Sequence, residues 1–167
     1  VLAWLLLGSG AWTLLMSWAG QAAIFKVAKM VEDPRWGPSL AACVLLAPSF
    51  RFLEWRRLSE AEREAWQRSG QRRLTNQWID LELSAELYAE RIQYPLSQLL
   101  QQLQTPTLIC HGMQDDTVPY TESVEFIEQC SAAEVELLLL KNGDHRLNQH
   151  KEWLARVACD FLQTQLR

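Results

Sequence analysis

The chain has 167 residues, of which 49% are hydrophobic and 22% are charged, and its formal net charge is −4. This length suffices for one domain with its own core, and the balanced composition excludes an intrinsically disordered chain. It also excludes a broad basic field for nucleic acid, since the arginines between residues 56 and 73 alternate with glutamates as on a solvated helix face.

The first 25 residues carry no charge and allow two interpretations. In one, residues 1–7 form a fully buried strand, residues 8–10 (GSG) form a tight turn, and residues 11–30 form a helix with apolar residues at helical spacing. In the other, residues 1–25 span a membrane, with basic residues following on the cytoplasmic side. The interrupting glycines and polar residues favour the strand–turn–helix interpretation, so a membrane partner is not expected.

Strands and helices alternate in the rest of the chain. Three apolar runs are typical of buried strands: residues 40–47 (LAACVLLA), 107–111 (TLICH) and 135–140 (VELLLL). Three segments carry apolar residues at helical spacing: residues 95–104, 121–129 and 149–166. In the middle one, Val124 and Ile127 are expected to face inward. This alternation predicts an α/β fold, a mostly parallel sheet with helices on both faces, in one domain over residues 1–167.

Residues 50–94 are too long for a simple connection between two elements. Their Glu- and Arg-rich pattern and their large aromatic residues predict an inserted, mainly helical lid.

The four cysteines are Cys43, Cys110, Cys130 and Cys159, with no CxxC pair and no Cys/His spacing that suits zinc. Cys43 and Cys110 lie inside apolar runs and are expected to be small, reduced core residues. We therefore expect no metal site, and a reducing compartment such as the cytoplasm.

An acid and a histidine follow the two late strands, where the chemistry of a parallel sheet is found. Asp115 comes after TLICH and His145 comes after VELLLL. Since a histidine base needs a carboxylate to fix its tautomer, the two can form an acid–base pair. A turn-forming role for Asp115 is the alternative, and Asp116 suits such a turn equally well. His111, at a strand end, is expected to be structural.

The residues around this pair resemble those of α/β-hydrolases. HGMQDDTVP (111–119) resembles the HGxxDxxVP motif, GDHRL (143–147) resembles the final histidine loop, and LLAPSF (45–50) resembles the end of the sixth strand. The resemblance covers roughly residues 35–167 and is closest to small serine esterases and thioesterases, including the acyl-glucuronide and acyl-protein esterase type.

This resemblance implies a serine hydrolase with Asp115 as the triad acid and His145 as the base. Such an enzyme acts on a small-molecule ester or thioester through an acyl-enzyme and needs no cofactor. The insertion, with its tryptophans, would line an apolar acyl pocket.

The nucleophile is the weak part of the resemblance. The family's GxSxG motif is absent, and Ser9 in LLGSGAW is the candidate nucleophile, although Leu7 stands where the tight elbow needs a small residue. If two residues are missing between Ser9 and Gly10, the family's GSSxGGW aligns with Gly8 to Trp12 and the nucleophile is lost. Two alternatives stay open: an active enzyme through Ser9, and a catalytically inactive, truncated α/β-hydrolase-like protein.

The strands that precede the nucleophile in the family have no counterpart in this sequence. One of their loops donates half of the oxyanion hole, and loss of such a donor costs about 10²–10³ in rate. We also expect one edge of a central strand to be left unpaired, which would favour association into a homo-oligomer.

Overall fold

The computed structural model describes residues 2–7, 12–16, 40–51, 58–75, 80–86, 93 and 95–165. The elements in chain order are β1 (Leu2–Leu7), β2 (Trp12–Met16), β3 (Leu40–Leu46), α1 (Glu60–Ser69), β4 (Gln71–Thr75), β5 (Asp80–Ser84), α2 (Leu96–Gln102), β6 (Thr107–Gly112), α3 (Thr121–Gln129), β7 (Val135–Leu140) and α4 (Lys151–Thr164). A short 3₁₀ turn precedes α4. The strands form a five-stranded sheet in the order β2-β1-β3-β6-β7 and a two-stranded sheet of β4 and β5.

The half of the large sheet formed by β3, β6 and β7 is parallel. Every residue of β6 is buried, as expected for a strand covered on both faces. On one face Ile109 packs in a cluster with Leu99 of α2 and Phe126 of α3. On the other face Cys110 packs in a cluster with Leu154 of α4. The predicted α/β fold class, with helices on both faces of the sheet, is confirmed.

The N-terminal strands depart from the expected pattern. β1 is a strand as predicted, but it pairs antiparallel with both β2 and β3. The helix predicted over residues 11–30 is wrong for Trp12–Met16, which form β2. A short apolar run that contains Trp12 and Thr13 suits a strand as well as a helix, so its spacing does not decide between them. Because β2 and β3 flank β1, the expectation of an unpaired central edge is also wrong.

The alternative of a membrane span over residues 1–25 is not favoured. The described stretches of this segment are the strands β1 and β2. Within the part of the chain that the structure describes, no helix has the length and apolar character to cross a bilayer. The predicted turn at residues 8–10, with Ser9, lies outside the described residues and stays a prediction.

The described part of residues 50–94 begins with a helix whose two ends are fixed by the sequence. At the start of α1, the Ser59 hydroxyl accepts a hydrogen bond from the Glu62 amide while the Glu62 carboxylate accepts one from the Ser59 amide. At its end, Gly70 adopts the left-handed conformation, with φ 71°.

A β-hairpin of β4 and β5 follows α1, so the described residues of the insertion hold both a helix and a hairpin, and the mainly helical lid stays a prediction. The alternating exposed and half-buried residues of β4 suit one face of a strand, and their charged composition suits an exposed helix equally well. Trp66 of α1 is buried, and its indole N–H donates to the Leu83 carbonyl of the hairpin at 3.2 Å. This tryptophan therefore joins the helix to the hairpin.

Candidate active site

Two loops, at the carboxyl ends of β6 and β7, are joined through their backbones. The Met113 amide donates to the Leu140 carbonyl at 2.8 Å, and the Gln114 amide donates to the Gly143 carbonyl at 2.9 Å. Gly112 permits this approach, because a Cβ there would lie 2.2 Å from the Gly143 carbonyl oxygen. Side chains of the two loops therefore converge at one edge of the sheet.

Asp115 lies in the first loop, and its side chain is fully buried. Its Oδ1 accepts hydrogen bonds from the amides of Thr117 at 2.9 Å and Val118 at 2.8 Å, which closes a tight turn. Its Oδ2 lies 2.8 Å from Nδ1 of His145. The sequence leaves a turn-forming role and an acid role for Asp115 as alternatives. In the structure Oδ1 closes the turn while Oδ2 contacts His145, so the two roles are compatible. Asp116 is exposed and accepts from the Thr117 hydroxyl.

His145 is brought to Asp115 across 30 residues of chain. Its side chain is 16% exposed, so the imidazole reaches the surface while its carboxylate partner does not. Among the residues that the structure describes, none bonds to Nε2 of His145, the atom that a base presents to a nucleophile. The third sequence-predicted residue, Ser9, lies outside the described residues, and its role stays a prediction.

A second imidazole, which the sequence analysis did not place in the site, bonds to the same carboxylate oxygen. His111 is fully buried, and its Nε2 lies 3.2 Å from Oδ2 of Asp115 and 3.1 Å from the Val118 carbonyl oxygen. Its Nδ1 lies 2.7 Å from the Ser123 hydroxyl. In the sequence, only the spacing of four residues between His111 and Asp115 hints that these two side chains meet. No pattern in the sequence points to the contact between His111 and Ser123.

The helix α3 turns a different face inward from the one predicted. Its buried residues are Glu122, Ser123 and Phe126. Val124 and Ile127 are only partly buried. The hydrogen bond between Ser123 and His111 compensates for burying a hydroxyl, so the inward face of the helix combines this polar residue with the apolar Phe126.

The surroundings of Asp115 keep its carboxylate ionised. Burial alone would raise its pKa, but hydrogen bonds from His111, from His145 and from the Val118 amide together hold the pKa of Asp115 well below its usual range. An ionised carboxylate only accepts hydrogen bonds, so each nitrogen that faces Oδ2 carries a hydrogen. His145 is then an Nδ1–H tautomer whose Nε2 can take up a proton.

This arrangement has the chemistry of a general base held by a buried acid. Over the described part of the chain, no group of three histidine, cysteine or acidic side chains is placed to hold a metal ion.

Comparisons with known proteins place the chain in a family. A model described as the prolyl oligopeptidase family matches residues 48–167, which is most of the chain. The chain belongs to the prolyl oligopeptidase family. Its fold is similar to that of mouse alpha/beta hydrolase domain-containing protein 10, with a TM-score of 0.67 at 18% identity over 89% of this chain and 59% of that one. It is also similar to Est1E from Butyrivibrio proteoclasticus with bound ferulic acid, with a TM-score of 0.67 at 20% identity over 87% and 57%.

A curated relative matches this family member over a short stretch. The mitochondrial palmitoyl-protein thioesterase ABHD10 of cattle is 39% identical over 44 residues, which are 26% of this chain and 14% of the relative. The chain thus spans 59% of the mouse protein, and its match covers 14% of the cattle relative, both less than two thirds. The α/β-hydrolase resemblance inferred from the sequence is confirmed at the level of family and fold.

Proposed function

We propose that this chain carries the catalytic acid and base of a serine hydrolase that cleaves an ester or thioester through an acyl-enzyme. Asp115 orients His145 and stabilises it when it is protonated. His145 takes the hydroxyl proton of the nucleophile, Ser9, as its oxygen attacks the acyl carbon. The same proton then passes to the leaving alcohol or thiol, and water attacks the acyl-enzyme in a second, equivalent step.

One observation carries this proposal: the 2.8 Å contact between the buried Asp115 carboxylate and Nδ1 of a partly exposed His145. The contact fixes the tautomer that leaves Nε2 available, and the lowered pKa of Asp115 keeps the acid ionised at neutral pH. A histidine held in this way is suited to proton transfer from a hydroxyl, which is the step that serine hydrolysis requires.

The substrate class follows from the relatives and is part of the proposal. The cattle relative is named a palmitoyl-protein thioesterase, and the Est1E structure holds ferulic acid. Both names are consistent with an acyl ester or thioester, and the small-molecule substrate expected from the sequence belongs to the proposal. The predicted lid role of residues 50–94 belongs to the proposal too. Trp66 is buried against the hairpin of the insertion, so this tryptophan does not line a pocket.

The compartment is proposed to be reducing, because Cys43 and Cys110 are small residues of the core, as in proteins that keep their thiols reduced. The sequence favours the cytoplasm, whereas the cattle relative is named mitochondrial. Fluorescence microscopy of a tagged full-length protein separates the two.

Hydrolysis of a short p-nitrophenyl ester and of an S-acyl thioester tests the proposal. We expect His145→Ala to lower the rate by about 10³-fold or more. His150→Ala is the matched control, because it removes a nearby imidazole with no bond to Asp115 and should leave the rate unchanged. Equal rates for wild type and His145→Ala would contradict the proposal.

Labelling with a fluorophosphonate probe tests the nucleophile separately. A covalent adduct on Ser9 that is lost in Ser9→Ala is expected. A folded chain with neither hydrolysis nor adduct would contradict the proposal and favour the catalytically inactive alternative.

A further inference from the structure

The carboxylate of Asp115 is approached by two imidazoles, and the proposed reaction uses only one of them. Nδ1 of His145 and Nε2 of His111 lie 2.8 Å and 3.2 Å from the same oxygen, Oδ2. His111 is fully buried, so water does not supply hydrogen-bond partners for its ring. Both of its ring nitrogens must therefore be satisfied by protein atoms.

The acceptors around His111 decide which nitrogen is protonated. Nε2 faces the Asp115 carboxylate and, at 3.1 Å, the Val118 carbonyl, and neither oxygen has a hydrogen to donate. Nε2 must therefore carry a hydrogen, shared between these two acceptors. Nδ1 faces the Ser123 hydroxyl at 2.7 Å, a group that can donate. Ser123 is itself fully buried.

We propose that His111 is a positioning residue. Its imidazole is neutral, accepts a hydrogen bond from the Ser123 hydroxyl at Nδ1, and donates from Nε2 to Oδ2 of Asp115. This bond holds Oδ2 in the orientation that His145 requires. Two histidines with opposite tautomers then share one carboxylate oxygen: Nε2–H for His111 and Nδ1–H for His145. Only the catalytic consequence of this inference rests on the proposed function.

The hydrogen-bonded groups around Asp115 belong to different elements of the fold, and this restrains its loop. His111 belongs to β6, Val118 to the loop that follows and Ser123 to α3. Their hydrogen bonds tie the loop of Asp115 to a strand on one side and to a helix on the other. The acid therefore sits on a loop but is held as firmly as a residue within an element, which is the condition for a preorganised site.

Nitrogen-15 NMR of the imidazole rings in the folded chain at neutral pH measures the tautomers directly. The chain has three histidines, so single His→Gln variants assign every signal. We expect protonated Nε2 and bare Nδ1 for His111, and the reverse for His145. An Nδ1–H or doubly protonated His111 would overturn the inference and leave the proposed function standing. A His145 without a hydrogen on Nδ1 would contradict the proposed function instead.

His111→Gln and His111→Phe are a matched pair for the positioning role. Glutamine keeps an N–H that can reach Asp115, whereas phenylalanine keeps a planar ring without a donor. We expect His111→Phe to lower kcat about tenfold to hundredfold at unchanged KM, and to shift His145 from pure Nδ1–H to a mixture of tautomers. His111→Gln should keep most of the wild-type kcat and most of the Nδ1–H tautomer of His145.

An equal loss in the two variants, with an unchanged His145 tautomer, would show that His111 only fills space. Thermal unfolding of each variant checks that it folds. Ser123→Ala deletes a single hydroxyl and serves if His111→Phe does not fold. It should move the Nδ1 resonance of His111 while Nε2 stays protonated, and an unmoved Nδ1 resonance would contradict the role of Ser123.

Discussion

Replacing Gly112 by alanine tests the backbone approach that joins the two site loops. The new Cβ would lie 2.2 Å from the carbonyl oxygen of Gly143, whereas real Cβ atoms stay at 3.0 Å or beyond, so one backbone must retreat by about 0.8 Å. Overpacking of this kind costs about 1–3 kcal/mol, which exceeds the ~0.4–1 kcal/mol that alanine contributes by restricting the unfolded chain. We expect the free energy of unfolding to fall by about 1–2 kcal/mol.

The same displacement also separates Asp115 from His145, because these two residues lie on the two loops that meet at Gly112 and Gly143. Lengthening the 2.8 Å contact by that amount breaks the hydrogen bond, and a misplacement of about 1 Å lowers hydrolysis about 10²-fold. Urea unfolding followed by tryptophan fluorescence measures the stability, and the Nδ1–H signal of His145 reports the contact.

Gly70→Ala is the control for loss of a glycine. A Cβ at Gly70 meets no atom within 4 Å, but its φ of 71° strains an alanine by roughly 1–2 kcal/mol. This variant should lose stability and keep the Nδ1–H signal of His145. If Gly112→Ala unfolds within about 0.5 kcal/mol of wild type and keeps the His145 signal, the reasoning about the loop contact is refuted.

Three more predictions follow from the same structure. Asp115→Asn should lower kcat about 10⁴-fold in steady-state ester hydrolysis, because an amide nitrogen in place of Oδ2 forces the wrong tautomer on His145; a small loss would contradict this. The folded pKa of Asp115 lies below its unfolded value, so its ionisation contributes stability above about pH 4 that is lost as the pH falls toward the folded pKa. Urea unfolding from about pH 7 down to about pH 3 should show a steeper loss of stability in wild type than in Asp115→Asn, and equal slopes would refute the assignment. Burial raises the pKa of Cys43 and Cys110 to about 12, so iodoacetamide at about pH 8 should modify the exposed Cys159 and spare both, as read by peptide mass spectrometry; alkylation of Cys43 in the folded chain would contradict this.

The parallel half of the sheet is predictable from the sequence because turn residues bound each of its apolar runs. The runs TLICH and VELLLL are too short for buried helices and are followed by glycine-containing loops, so β6 and β7 agree with their predicted bounds to within one residue. The helix α3 has the predicted bounds, residues 121–129.

The N-terminal stretch and the insertion are not predictable in the same way. Apolar residues fill residues 11–16 so densely that a helical and a strand pattern fit them equally, and the pairing partner in the sheet decides. In the insertion, the charged residues of β4 are equally compatible with an exposed strand and an exposed helix. The hairpin also contacts Trp66, which is distant in sequence from Leu83.

The meeting of Asp115 and His145 is predictable because each follows a strand of one parallel sheet in a known motif. The contact of His111 with Ser123 is not, since it depends on how α3 is rotated about its axis. The apolar residues Val124 and Ile127 suggested one rotation, whereas in the observed one Ser123 is buried beside Phe126. A hydrogen bond between distant side chains leaves no periodic trace in a sequence.

The saturation of Asp115 limits where a proton can travel in this site. A carboxylate offers about four acceptor positions, and Thr117, Val118, His111 and His145 each fill one. These hydrogen bonds stabilise the charged carboxylate and lower its pKa, which makes Asp115 a poor proton acceptor. In the reaction that we propose, the positive charge formed during acyl transfer is therefore expected on the ring of His145, as a transient cation beside a fixed anion.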